Sequence, residues 1–287
     1  MNEREGISSV AASLCEAWGR GHVLSHAAHR AGAPALCALV AMFWFFVHAA
    51  FAVEPLEEIV EQKYTLEPTA MLSVSNTDGS IRIYGGDTAE ISIQAIKKAY
   101  TAERLKGIVV DVKATGKSVT INTTFPPRKN AVSDRSGTVD YILVVPHTVK
   151  ITQLDLTNGE LLVEGLRGGS ATAHLINGWL AAHNCFGDLD LTIVNGRLDV
   201  GYDWWETGAF SVKMSSTNAN LRAFLPSDAA AKISARAATG KIFNAFDPKK
   251  AHPDDDVHRL DTVTGSDAEA AFEMKASSGN VRIEKTN

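Results

Sequence analysis

Cysteine is scarce, with 3 residues in 287. Cys15 and Cys37 lie in or before an apolar N-terminal run, which leaves Cys185 alone in the remainder. Once that run is removed no intramolecular disulfide can form, even where an oxidising compartment would permit one. Cys37 also precedes the apolar centre, the wrong order for a lipidated cysteine. Basic tracts are missing as well. Nothing longer than Lys97-Lys98 or Lys249-Lys250 occurs and the formal net charge is -5, which excludes a nucleic-acid binder of the usual basic kind. With 9 prolines and 22 glycines the chain is neither collagenous nor of low complexity. It has no phosphate-binding loop, zinc-protease helix motif or nucleophile elbow. Glycine-containing Asn76-Thr-Asp-Gly79 and Gly85-Gly86-Asp87 lack the strand–helix context of a phosphate cradle, so they read as turns.

One long hydrophobic run is present. Residues 33–53 carry no Asp, Glu, Lys or Arg, and their centre reads Leu39-Val-Ala-Met-Phe-Trp-Phe-Phe-Val47. A membrane span needs about 20 such residues. Ala50-Phe51-Ala52 also fits the small-x-small pattern of signal cleavage. Arg20 and Arg30 precede the run without an intervening acid, as expected of a cytoplasmic flank. Residues 1–52 therefore read as a signal peptide cut after Ala52, or as a single membrane anchor through residues 33–53. Both place the rest of the chain outside the cytoplasm, in the periplasm or beyond.

Beyond this run the chain is strand-like. Residues 53–63, polar and acidic, read as a linker. Residues 64–146 form an N-terminal β region and cap, with alternation at Met71–Val74, Ile81–Ile83, Ile91–Ile93, Ile108–Val112 and Val119–Ile121. Thr115-Gly116-Lys117 is a hairpin turn, and Val139–Val145 is a strand ended by Pro146. Thr101–Lys106 is at most a short helical turn.

Residues 147–287 repeat. The unit is a strand, an Asn-Gly turn and another strand. It appears at Leu154–Val163 around Asn158-Gly159, at His174–Leu180 around Asn177-Gly178, and most clearly at Leu189–Val200 around Asn195-Gly196. Degenerate copies lie at Ser216–Leu221, at Ala238–Ile242 around Gly240, and at Ser277–Ile283 around Gly279. In the N-terminal region Asn76 and Gly79 mark a turn between Met71–Val74 and Ile81–Ile83. In the best copy Leu189, Leu191 and Ile193 face in, as do Leu198 and Val200, while Asp190, Thr192, Arg197 and Asp199 face out. Near-regular spacing of short strands indicates stacked rungs, since one rung cannot bury its own apolar face. The predicted class is all-β, a β-solenoid or β-helix-like stack. A sandwich or hairpin meander gives the same local signal and stays open. A proline- and aspartate-rich insert, 247–261, breaks the rhythm, and Ala271–Lys275 with Val281–Ile283 read as the closing cap.

These repeated Asn-Gly turns, with Asn76-Thr-Asp-Gly79 and the Val145-Pro146 strand end, resemble the bacterial putative-adhesin domain, a family long filed as a domain of unknown function. The resemblance covers about residues 70–285. It implies a repetitive β-solenoid-like fold in an exported or membrane-attached protein. It implies no catalytic residues and no cofactor, and it fixes no ligand.

Few residues suggest chemistry. His174 and His183 both point outward by alternation and could approach one another, but a third metal ligand is missing unless Cys185 leaves its buried site. Asp254-Asp255-Asp256 match no calcium-loop spacing. Asp188 with Asp190, or Asp199 with Asp203, form the pairs a sugar hydrolase needs, yet exposed carboxylates also keep a stacked sheet soluble. Aromatics are more telling. Trp179 follows one Asn-Gly turn, and Tyr202, Trp204 and Trp205 follow another, as a surface platform for a glycan or peptide or as cover for a rung edge. The sequence thus points to a non-catalytic envelope or cell-surface protein, an adhesin-like binding or structural domain. Its partner would be a protein or glycan, and uncapped edges would favour self-association. A polysaccharide-active enzyme and an extracytoplasmic sensory domain are the alternatives.

Overall fold

The structure is a computed structural model and describes residues 54–127, 137–247 and 257–286. The predicted signal or anchor and most of the 247–261 insert, Asp254 to Asp256 included, lie outside the described residues.

Strands dominate. The first six are β1 (Leu56–Thr65), β2 (Met71–Gly86), β3 (Glu90–Ala99), β4 (Val109–Ala114), β5 (Ser118–Thr124) and β6 (Thr138–Pro146). Then come β7 (Lys150–Glu164), β8 (Arg167–His183), β9 (Phe186–Gly201), β10 (Ser211–Pro226) and β11 (Ala231–Ala237). Short β12 (Ile242–Asn244), β13 (Arg259–Thr264), β14 (Ala270–Ser278) and β15 (Val281–Thr286) complete the set. Among the described residues one helix, α1 (Ala102–Gly107), is capped by the Thr101 side chain, which accepts from the Arg104 amide. Residues 53–63, predicted to be a linker, instead supply most of β1, which pairs antiparallel with β3.

All strands belong to one mixed sheet. Its centre is a parallel, in-register run from β2 through β7, β8 and β9 to β10. That arrangement rules out a meander of hairpins, whose neighbours would be antiparallel. The Asn-Gly pairs do not separate two strands. They lie inside single strands of 15 to 17 residues, where the chain bends without reversing.

The bend has a clear signature. Leu156 and Leu161, Leu175 and Leu180, and Ile193 and Leu198 are all buried, each pair five positions apart across its corner. In an unbroken strand such residues face opposite sides. The corner glycine resets the phase. Gly79, Gly159, Gly178, Gly196 and Gly279 have φ between +126° and +137°, open to glycine at little cost. Both arms of each bent strand therefore feed one core, which runs from Leu66 to Ile283.

Corners stack as well as strands. A Cβ on Gly178 would lie 1.9 Å from the Gly159 carbonyl oxygen, and one on Gly196 the same distance from that of Gly178. Beside the glycines runs an amide ladder. The Asn158 amide donates to Asp78 at 2.7 Å, Asn177 to Asn158 at 2.9 Å, Asn195 to Asn177 at 2.9 Å, and Asn218 to Asn195 at 3.1 Å. Where the fifth corner has Ala219 instead of glycine, the buried Ser216 hydroxyl donates to the Ala219 carbonyl.

The ends differ from expectation. At the first end β5 covers one arm of β2 and β6 the other, so residues 64–146 include a full bent strand as well as its cover. At the second end β14 and β15 lie inside, between β10 and the β11–β12 pair. The C-terminal strands are thus an interior layer, not the closing cap. The outermost described strands there are β13 and β12.

Candidate functional site

Opposite the Asn-Gly corners, each bent strand passes to the next through a second turn, and here the repeat becomes irregular. Gly165-Leu166 joins β7 to β8 and Asn184-Cys185 joins β8 to β9, each in two residues. The turns stack through Gly165 donating to the His183 carbonyl, Asn184 to that of Gly201, and Tyr202 to that of Phe224. Between β9 and β10 the connection swells to residues 202–210. Consequently the spacing of ladder asparagines rises from 18 to 23 at this step.

That enlarged loop is anchored from below. Tyr202 is buried, with its hydroxyl donating to the Cys185 carbonyl at 2.9 Å, and burial raises its pKa well above the usual tyrosine value. Phe186 meets Tyr202, Trp204 and Phe210 at ring distances of 5.1, 5.9 and 5.9 Å. Half-buried Trp205 packs on Phe210 and Phe272. Such an aromatic bed fixes the loop's backbone by contact area and ring geometry together.

Trp204 alone of this group stands out, at 43% exposure. Its indole N–H donates to Glu206 at 2.9 Å, and the same carboxylate pairs with Arg167 at 2.8 Å. The Arg167 guanidinium lies 6.0 Å from the Trp204 ring centre. Next to it, His183 has Asp203 3.2 Å from Nε2 and Glu164 3.5 Å from Nδ1. Asn184, held at a positive φ of 51°, donates to Asp203 and accepts from its amide. The Asn184 bond, then His183, holds the Asp203 carboxyl below the usual aspartate range. The result is an exposed indole on a fixed bed, held by Glu206 and Arg167, with the His183–Asn184–Asp203 cluster at the preceding residue of the loop.

The four sequence-predicted aromatics therefore do not share one platform. Tyr202 is core, contrary to expectation, because its alternation places it under the loop. Trp205 is largely core too. Trp179 is half-buried and sits on the outer face of β8, in a separate network. Its N–H donates to Asp199 at 2.9 Å, and Arg197 stacks 4.8 Å from its ring. Asp199, 8% exposed, also binds Arg197 and Arg222, both at 2.8 Å. This network staples β8, β9 and β10 across their outer face.

The imagined chemistry does not assemble. His174 lies in register with Asp155 and Thr192 on the first arm, whereas His183 ends the second, so the two do not meet. The carboxylates near His183 sit on opposite ring nitrogens and cannot share one ion. Among the described residues no group of three His, Cys, Asp or Glu is placed to hold a metal. Asp188 accepts from the Ser211 amide and hydroxyl, and Asp199 is engaged by two arginines. A glycosidase acid needs a raised pKa, but among the described residues the carboxyls whose values shift, Asp203, Asp261 and Glu273, shift downward. Cys185 is buried, and burial pushes its thiol up to about 11, the opposite of an activated nucleophile.

Sequence reading missed Arg167, Phe186 and Glu206, since none carries a motif. It also missed the Asp199 staple, for which a signal existed. Trp179 and Arg222 lie 20 and 23 positions from Asp199, close to one repeat in each direction.

No known family's sequence profile matches the chain, and no curated protein matches it. In structure it is similar to a putative cell adhesion protein from Clostridium sporogenes, with 14% identity and a TM-score of 0.51, over 81% of this chain and 100% of that one. A putative adhesin from Bacteroides fragilis aligns over 79% and 97% at 9% identity, but its TM-score of 0.27 adds nothing. At such identities the likeness is one of fold.

Proposed function

We propose that this chain is an exported, non-catalytic, adhesin-like binding domain that engages a glycan or protein of the cell envelope through the Trp204 corner. Its parallel bent strands, joined through stacked turns at both corners, would wind as a β-solenoid. The observation that carries the reading is Trp204 itself. An exposed tryptophan on a rigid aromatic bed, rimmed by charged hydrogen-bonding groups, is the composition of a binding hot spot. Loops on a rigid scaffold are also where binding residues concentrate. The fold shared with a putative cell adhesion protein agrees with it, as does the apolar, cleavable-looking N-terminal run. The test is binding of the mature protein to an envelope-glycan panel, with Trp204→Ala and Trp179→Ala side by side. Only Trp204→Ala should lose binding while keeping its melting temperature. N-terminal sequencing of the exported protein separates cleavage after Ala52 from a retained anchor.

Self-association is a second reading, favoured by where apolar side chains are exposed. Leu56 and Ile59 on β1, Val109 on β4 and Val263 on β13 are all more than two-fifths exposed, and all lie on terminal strands. Unpaired sheet edges of this kind recruit further strands. Sedimentation at rising concentration tests it, and a strictly monomeric protein would dismiss it.

A further inference from the structure

A trough of about 850 Å³ crosses the outer face of β10, β14, β11 and β13. Its floor is made by small side chains, Ser211 and Ala271, which lie in register on adjacent strands. Val263, 62% exposed, stands at the far wall beside Lys232. The trough begins where the aromatic loop ends, since Ser211 follows Phe210 and the Ala271 amide donates to the Phe210 carbonyl.

Charge within the trough is unbalanced despite equal numbers of acids and bases. Asp261 is already engaged by the Ser234 hydroxyl at 2.8 Å and by Arg259 at 3.0 Å. Glu273 is paired with Lys275. Both carboxyls are held below their usual range by these bonds. Lys213 and Lys232 make no ion-pair contact among the described residues, although Lys213 adds to the field on Glu273. Two lysines thus face a channel whose acids are spent, alongside the Ser211 hydroxyl and an apolar wall.

We propose that this trough binds an extended, carboxylate-bearing polysaccharide. Its sugar rings would lie with their C–H faces against Val263 and Ala271, its hydroxyls on Ser211, and its carboxylates on Lys213 and Lys232. A polyphosphate chain fits less well. It lacks an apolar face, and no forked arginine lines the trough to meet it. The proposal rests on the non-catalytic binding reading and names a ligand class for it.

The experiment is affinity electrophoresis and calorimetry of the mature protein with polygalacturonate. Its fully methyl-esterified form serves as the neutral match, and inorganic polyphosphate as the polyphosphate. Wild type should bind polygalacturonate and weaken as salt rises. The Lys213→Gln/Lys232→Gln double variant, with an unchanged melting temperature, should bind about tenfold or more weakly, as loss of two charge-assisted contacts requires. Failure of folded wild type to bind, equal binding of the ester, an unaffected double variant, or tighter binding of inorganic polyphosphate would each overturn the proposal. Release of new reducing ends would instead overturn the non-catalytic reading. Neutral-glycan binding that depends on Trp204 alone would leave that reading standing and remove this one.

Discussion

Gly178 lies so close to Gly159 that a Cβ at position 178 would sit 1.9 Å from the Gly159 carbonyl oxygen. The contact joins consecutive bent strands at their corners, and the same approach recurs at Gly159 and Gly196. Shape here is imposed by what the corner cannot hold.

Gly178→Ala should therefore destabilise by roughly 3 kcal/mol or more, because a methyl group must displace backbone at a φ of +137° that favours glycine. Gly116→Ala is the control. Nothing lies within 4 Å of a Cβ there, and its effect should stay within about 0.5 kcal/mol. Urea unfolding of both variants reads the difference.

The amide ladder makes a smaller claim. Asn177 donates to Asn158 and accepts from Asn195, both at 2.9 Å. Asn177→Ala removes two bonds at an exposed position and should cost about 1–2 kcal/mol. Asn218→Ala, which removes its bond to Asn195, should cost about half as much. Equal costs at both positions would show that the ladder does not act as a chain.

Asp199 is the strongest test of the outer face. It accepts from Trp179 and binds Arg197 and Arg222 while 8% exposed. Asp199→Ala strands two guanidinium groups and an indole N–H, and should cost about 3 kcal/mol. Trp179 fluorescence should shift toward that of a water-exposed indole. A fully surface-screened network would give less than about 1 kcal/mol.

Cys185 supplies a pH dependence. Burial raises its pKa in the folded protein to about 11 from a reference of 9.0. The unfolded chain therefore loses this proton first, and stability from the neutral thiol is complete below pH 9 and lost as pH rises toward 11. By about pH 10 the loss should reach about 1 kcal/mol relative to about pH 8. Cys185→Ala should show a shallower fall over that range in thermal melts. A slope equal to wild type would place the effect elsewhere, for instance in the buried tyrosines.

Much of this fold was legible in the sequence because its signals are local. Asn195-Gly196 with Ile193 and Leu198 on either side states both the bend and its inward phase. The weaker copies at Gly240 and Gly279 also stack, but in reverse of their chain order: Gly279 lies on the Ala219 corner and Gly240 on Gly279. The remainder was not legible because it depends on order in space. Nothing in Ala270–Thr286 tells that it slots between β10 and β11, since its alternation would suit a cap equally well. Likewise Leu56–Thr65 is polar because it is an edge strand, where charge protects an open side, and polarity alone read as a linker. At the site, Trp204 was legible only as one of four aromatics that could form a platform or cover a rung edge. Its setting was not, because Arg167, Phe186 and Glu206 reach it from three separate turns.

The binding reading stands or falls at Trp204, and the decisive measurement is affinity for envelope glycans in wild type and Trp204→Ala. Truncating an exposed anchor should leave stability within about 1 kcal/mol of wild type and weaken binding about tenfold or more. Folded wild type that retains no glycan or envelope protein, or a Trp204→Ala variant that binds as tightly as wild type, would contradict it.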